Sequence, residues 1–189
     1  MKIVVLGDSL SAGFGLPVQD AFPAKLAEAL KAKGIAATIA NAGVSGDTAN
    51  GGLERLNWSV PDGTDAVIVE LGANDALRGL DPKLTRKALA SILERLQERH
   101  IAVLLAGMKA PRNMGADYTQ AFDAVYPELA ASHPVVFYPF FLDGVAADPK
   151  LNQADGMHPN AAGVDIIVAR ILPRVEELIS RARRAAKAG

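Results

Sequence analysis

The chain has 189 residues, half of them hydrophobic and 22% charged, with a formal net charge of −1. That balance excludes a disordered chain and gives no electrostatic footprint for nucleic acid or an anionic membrane surface. Without cysteine there is no disulfide, no thiolate nucleophile and no thiolate zinc site.

Short β-rich apolar runs alternate with longer helical patterns, as in a parallel sheet covered by helices. The first strand is expected near Lys2–Leu6 and runs into Gly7-Asp8-Ser9-Leu10. A helix over Ala21–Lys33 leads to a second strand near Ala36–Ala40 and the loop Asn41-Ala42-Gly43. A helix near Thr48–Asn57 precedes a third strand, Ala66–Glu70, and then Gly72-Ala73-Asn74-Asp75. The clearest helix is Pro82–Arg99, where Leu84, Ala88, Leu89, Ile92, Leu93 and Leu96 form one apolar face. Asp81 is its expected N-cap and Pro82 its first residue. A fourth strand near Ile101–Ala106, a helix near Tyr118–Ala131 and a fifth strand near Val135–Tyr138 follow. The last helix is expected over Ala161–Arg184, with Asn160 as N-cap and Pro173 kinking or dividing it. Its basic end, Arg181 to Lys187, suits a solvated helix C-terminus. There is no repeat, linker or low-complexity segment, so residues 1–189 are expected to form a single domain. No apolar run approaches the ~20 residues of a membrane helix, and no leader peptide is expected ahead of Gly7. The chain is therefore expected to be cytosolic, or a mature form whose leader has been removed.

Right-handed crossovers put the C-terminal ends of parallel strands on one edge, so the loops after strands one, two and three should converge. The loop around Asp155–His158, after strand five, can reach the same edge. Chemistry-bearing residues collect there. Ser9 is the candidate nucleophile, and a serine hydroxyl needs an adjacent base. His158 is the candidate base, because His100 and His133 are explained by a helix end and a surface turn. Asp155 is the candidate acid that fixes the imidazole tautomer. Gly43 and Asn74, with the Ser9 N–H, are candidate oxyanion donors, and losing one such donor costs about 100- to 1,000-fold in rate. Taken alone, Gly-Asp-Ser reads first as a turn and the other clusters are weak signals; it is their order along the chain, each after an expected strand, that carries the assignment. The α/β-hydrolase elbow is excluded because Ser11 stands where its second glycine belongs. No phosphate loop or dinucleotide fingerprint is present. With no cysteine and scattered histidines, neither a metal nor a cofactor is expected.

Gly7-Asp8-Ser9-Leu10-Ser11, the Gly43 loop with Asn41, Gly72-x-Asn74-Asp75 and Asp155-x-x-His158-Pro159 resemble the four diagnostic blocks of the SGNH/GDSL hydrolase superfamily. Within it, the runs Gly7–Leu16, Glu70–Gly79 and Asn113–Tyr118 are similar to the bacterial acyl-CoA thioesterase/lysophospholipase/arylesterase branch. The resemblance implies a flavodoxin-like three-layer α/β/α sandwich with a five-stranded parallel sheet. It implies a Ser9/His158/Asp155 triad and an oxyanion hole of Ser9, Gly43 and Asn74. That branch is mostly exported, which favours a periplasmic or secreted mature form.

Leu77, Leu80, Met108, Met114, Phe140, Phe141 and Leu142 are candidates to line an apolar acyl groove, although Phe140–Leu142 read equally as core. Arg78, Lys109 and Arg112 read first as ordinary surface charges. The expected substrate is a small-molecule carboxylic ester or acyl thioester of short to medium chain, a lysophospholipid included. The expected state is a monomer or small homo-oligomer with no nucleic-acid partner. Two alternatives remain open at this point: a carbohydrate O-acetyl esterase on the same site, and a non-catalytic binding module.

Overall fold

Five parallel strands, β1 (Lys2–Gly7), β2 (Thr38–Gly43), β3 (Ala66–Glu70), β4 (Ala102–Ala106) and β5 (Val136–Tyr138), form one sheet. Their order is β2-β1-β3-β4-β5. The computed structural model describes the fold of residues 1–188 and the side chains of residues 1–185. The helices are α1 (Ser9–Ala12), α2 (Phe22–Ala32), α3 (Ala49–Glu54), α4 (Leu56–Ser59), α5 (Ala73–Leu77), α6 (Pro82–Glu98), α7 (Ala116–Ser132) and α8 (Ala161–Ala188). Helix α2 packs on α8, while α6 packs on both α3 and α7, and these layers flank the sheet. The architecture is the expected three-layer α/β/α sandwich. Among the described residues no helix is long and apolar enough to cross a membrane.

Strands β1 and β3 are unbroken apolar runs because helices cover both their faces. Ile3–Leu6 and Ala66–Val69 are buried throughout. Register then aligns their ends: Gly7 pairs with Gly43 of β2 on one side and with Glu70 of β3 on the other. Strand order reverses direction at this point, and doubly wound sheets bind ligands at the carboxyl ends beside such a switch.

Three local expectations need correction. Strand β2 lies at the sheet edge and is nowhere fully buried, so its sequence does not mark its ends. Pairing with β1 sets them instead, and Asn41-Ala42-Gly43 belongs to the strand rather than to a loop. In α6, capped by the Asp81 side chain, Leu84 is 61% exposed. The buried slot goes to its neighbour Thr85, whose hydroxyl donates to Asp75 Oδ1 at 2.9 Å. Helix α8 runs through Pro173 without being divided there, so only the division is overturned. Buried Ile167 and Ile171 before the proline, and Val175 and Leu178 after it, seat both halves on the core. This packing outweighs the lost helix bond.

Candidate active site

Strand β1 ends at Gly7, where a Cβ would collide with the side chains of Ser11 and Glu70. The chain turns directly into α1, whose N-cap is Asp8: its Oδ1 accepts the Leu10 N–H at 2.9 Å. Ser9 is therefore a first helical residue, and its N–H has no intrahelical partner. Its hydroxyl lies 3.0 Å from His158 Nε2. On the other side of the ring, His158 Nδ1 lies 2.6 Å from Asp155 Oδ2. A carboxylate at Nδ1 selects the tautomer with its proton there, which leaves Nε2 as acceptor for the serine hydroxyl.

Asp155 is itself fixed. Its Oδ1 accepts the N–H groups of Met157 at 2.9 Å and His158 at 3.0 Å. The His158 and Met157 N–H groups and the imidazole bond lower its carboxyl to about 2. The His158 loop is also stapled to the serine loop. Gln153 Nε2 donates to Phe14 O at 2.7 Å and to Pro159 O at 3.0 Å, and the Phe14 ring lies 4.6 Å from the imidazole. Asn160 caps α8 as expected, accepting from the Gly163 N–H at 3.0 Å.

Asn74, at the start of α5, reaches the same corner. Its Nδ2 donates to Asp47 O at 2.9 Å and to Asp8 Oδ2 at 3.2 Å. Gly43 is placed differently from expectation. Its N–H is held by Asn41 Oδ1 at 2.9 Å, and a Cβ there would collide with the Ala12 backbone of α1. It is a close-approach glycine at a strand end. The residue that sequence reasoning missed is Gly46, at φ +86° in the turn closed by Asp47 N–H to Val44 O at 3.1 Å. Among the described residues the Gly46 N–H has no intramolecular acceptor. Gly46 precedes Asp47, whose carbonyl holds Asn74. Its signal was the turn sequence Ser45-Gly46-Asp47, hidden once β2 was ended three residues early.

Two carboxyls are sealed beneath this corner. Asp8 and Glu70 are both fully buried. Burial raises Asp8 from 3.8 to about 6, against the Leu10 N–H, the His158 charge and the Asn74 amide; the Asp47 charge adds to the rise. Burial and then the Asp8 charge push Glu70 well above the usual carboxylate range. Glu70 Oε2 accepts the Ser11 hydroxyl at 2.6 Å, and its Oε1 has no partner among the described residues. Two such neighbours resist double ionisation. The folded state holds the Asp8 proton more tightly than the unfolded chain does. Asp8 therefore adds stability that is complete below 3.8 and lost as pH rises through about 6. Accordingly, Asp8→Asn should gain in Tm relative to the wild type on going from about pH 4 to about pH 7.5. Melting curves across that range check this; a variant Tm that stays level or falls relative to wild type toward neutral pH would refute it.

The candidate groove residues separate. Met108 and Phe141 are buried, and Phe141 meets Phe22 edge-on at 5.0 Å, so both belong to the core instead of a groove. Phe140 is half-buried with the Lys109 amine 5.2 Å from its ring centroid. Leu80 and Met114 are half-buried, and the Leu80 carbonyl is latched by the Tyr118 hydroxyl at 2.9 Å. Leu77 is 51% exposed. Arg112 is paired with Asp123, and Arg78 donates to Gly46 O at 2.7 Å.

Residues 5–166 match the model of the GDSL-like lipase/acylhydrolase family. The chain belongs to that family. It is 39% identical over 159 residues to an arylesterase of Vibrio mimicus, covering 84% of this chain and 80% of the relative. It is 36% identical over 179 residues to thioesterase 1/protease 1/lysophospholipase L1 of Escherichia coli, covering 94% of this chain and 85% of the relative. A crystal structure of TesA superposes with a TM-score of 0.90 at 36% identity, covering 94% of this chain and 99% of that one. As a GDSL-family esterase, the protein hydrolyses esters, and the binding-module alternative is set aside. The GDSL segment itself is Gly7–Leu10, the turn that joins β1 to α1.

Proposed function

We propose that the protein hydrolyses carboxylic esters and acyl thioesters of short to medium chain through a Ser9–His158–Asp155 triad. The observation that carries this reading is the unbroken line from Asp155 through both imidazole nitrogens to the Ser9 hydroxyl. His158 Nε2 takes the hydroxyl proton as Ser9 Oγ bonds to the acyl carbon, and the carbonyl oxygen becomes an oxyanion. The same nitrogen then returns the proton to the leaving alcohol or thiol as its bond to carbon breaks. Water, deprotonated by His158, attacks the acyl-enzyme, and the acid leaves as Ser9 recovers its proton.

Three donors serve the oxyanion: the Ser9 N–H, the Asn74 amide and, in the place expected of Gly43, the Gly46 N–H. The Asn74 hydrogen comes from its longer bond, the one to Asp8. The acyl chain lies on an open rim. Phe14, Val44, Leu77 and Met157 are exposed apolar side chains, one from each of the four segments that build the site. Such a rim favours an acyl chain over a sugar ring.

The test is a p-nitrophenyl ester series from acetate to palmitate, with acyl-thioester hydrolysis followed by thiol release. The expected result is a chain-length optimum below palmitate, together with measurable thioester turnover. A rate confined to acetate, with acetate release from acetylated sugars, would replace this reading by the glycan deacetylase.

A further inference from the structure

Arg55, at the junction of α3 and α4, is a group that the mechanism above does not use. Its side chain is only 14% exposed, and its guanidinium reaches four acceptors. Nε donates to Asp47 Oδ2 at 2.6 Å, and Nη1 donates to Ala42 O at 2.8 Å and to Ser59 Oγ at 2.9 Å. Nη2 donates to Gly7 O at 2.9 Å. Three of these acceptors are the ends of the segments that must agree for the reaction to occur. Gly7 is the last residue before Asp8-Ser9. Ala42 is the penultimate residue of β2. Asp47 follows Gly46, and its carbonyl orients the Asn74 amide.

We infer that Arg55 is the positioning residue of the oxyanion site: it fixes the Gly46–Asp47 turn against the Ser9 turn. The inference rests on the triad reading of the preceding subsection. The backbone of Arg55 is well placed to hold the fork still. Its N–H donates to Gly51 O at 3.3 Å, and its carbonyl accepts the Ser59 N–H at 2.8 Å. The Thr48 hydroxyl caps α3 through Gly51 N at 3.1 Å, and Asp75 Oδ2 accepts the Ala49 N–H at 2.9 Å. The block that presents Asn74 thus also anchors the helix that presents Arg55. A planar fork with five donors suits acceptors on three separate segments; a lysine ammonium is a single point on a flexible stem and cannot span them. Donors aimed at a developing charge work only when held in place, and displacing a catalytic group by about 1 Å costs on the order of 100-fold. Because substrate recognition lies on the apolar rim, losing Arg55 should act on turnover and spare binding.

The experiment measures kcat and KM on the preferred p-nitrophenyl ester for wild type, Arg55→Lys, Arg55→Ala, Ser59→Ala and Ser9→Ala. Circular dichroism and Tm establish that each variant is folded at the assay temperature. The expected result for folded Arg55→Lys is a kcat about 10- to 100-fold lower with KM within about threefold. Methylguanidinium should restore part of the kcat of Arg55→Ala, which a defect in global folding would not allow. Ser59→Ala should stay within about twofold of wild type, since its bond to Arg55 touches neither catalytic loop. If Arg55→Ala does not fold, Arg55→Lys decides alone. A folded Arg55→Lys with wild-type kcat, or one whose loss is wholly in KM, overturns the inference. Activity in Ser9→Ala overturns the triad reading instead. An inactive Ser9→Ala beside a fully active Arg55→Lys removes only the role of Arg55.

Discussion

Ser9→Ala is expected to lower kcat by at least about 10,000-fold while the protein stays folded. The size follows from the geometry. Among the described residues the hydroxyl is the nucleophile that meets His158 Nε2, at 3.0 Å, and alanine leaves water to be activated in the wrong place. Removing Oγ disturbs little else, because Ser9 is only half-buried and its backbone stays at the start of α1. His158→Ala should cost nearly as much, since Ser9 then keeps its proton. Combining the two should cost almost nothing more, because residues acting as one unit are not additive. Single-turnover measurements on the three variants, corrected for the uncatalysed rate, check this. Losses that multiply in the double variant would show that Ser9 and His158 act separately, and the acyl-enzyme mechanism would fall.

The site was legible where local sequence and topology agree. Ser9, Asn74 and the Asp155–His158 pair each follow an apolar strand or lie in the one loop that can return to that edge. Fixing strand order was enough to bring them together. The miss at Gly43 has a definite cause. Strand β2 is an edge strand with little burial, and its extent is dictated by pairing with β1, so pattern alone ended it too soon. The N–H expected to face the substrate was spent on Asn41, and the free one lay three residues further on, at Gly46. Phe141, which read equally as groove or core, and Met108 are buried in the core. Apolar residues after a strand read the same whether they line a groove or close the core, and only the packing of Phe141 on Phe22 tells them apart.

Arg55 and Glu70 were illegible in a stronger sense. Arg55 works through backbone carbonyls of residues far away in sequence, and carbonyls are the same at every residue. Glu70 ends a buried strand, where the pattern asks for an apolar side chain. Its carboxyl is tolerated because the Ser11 hydroxyl meets one oxygen and the raised pKa favours the neutral form. Neither feature has a sequence signature apart from the fold that creates it.

Asp155→Asn is expected to leave the fold intact and to lower kcat by about 1,000- to 10,000-fold. The amide oxygen can still accept the Met157 and His158 N–H groups, so the loop that carries the imidazole keeps its shape. The change falls on the ring. An amide NH2 facing Nδ1 donates to it, which drives the ring proton to Nε2, the nitrogen that must accept from Ser9. The variant also lacks the negative charge that stabilises the imidazolium in each transition state. KM should change little, because the amide oxygen keeps the bond that holds the Met157 backbone at the apolar rim. The wild-type carboxyl sits at about 2, held there by two backbone N–H groups and the imidazole, so it stays ionised through the pH range in which His158 works. Its own titration therefore adds no step to the rate profile between about pH 4 and pH 9. The loss in Asp155→Asn should accordingly persist across that window instead of being recovered at either end. A variant that regained wild-type kcat at high pH would show that Asp155 only tunes the basicity of His158; a uniform deficit marks it as the group that sets the tautomer.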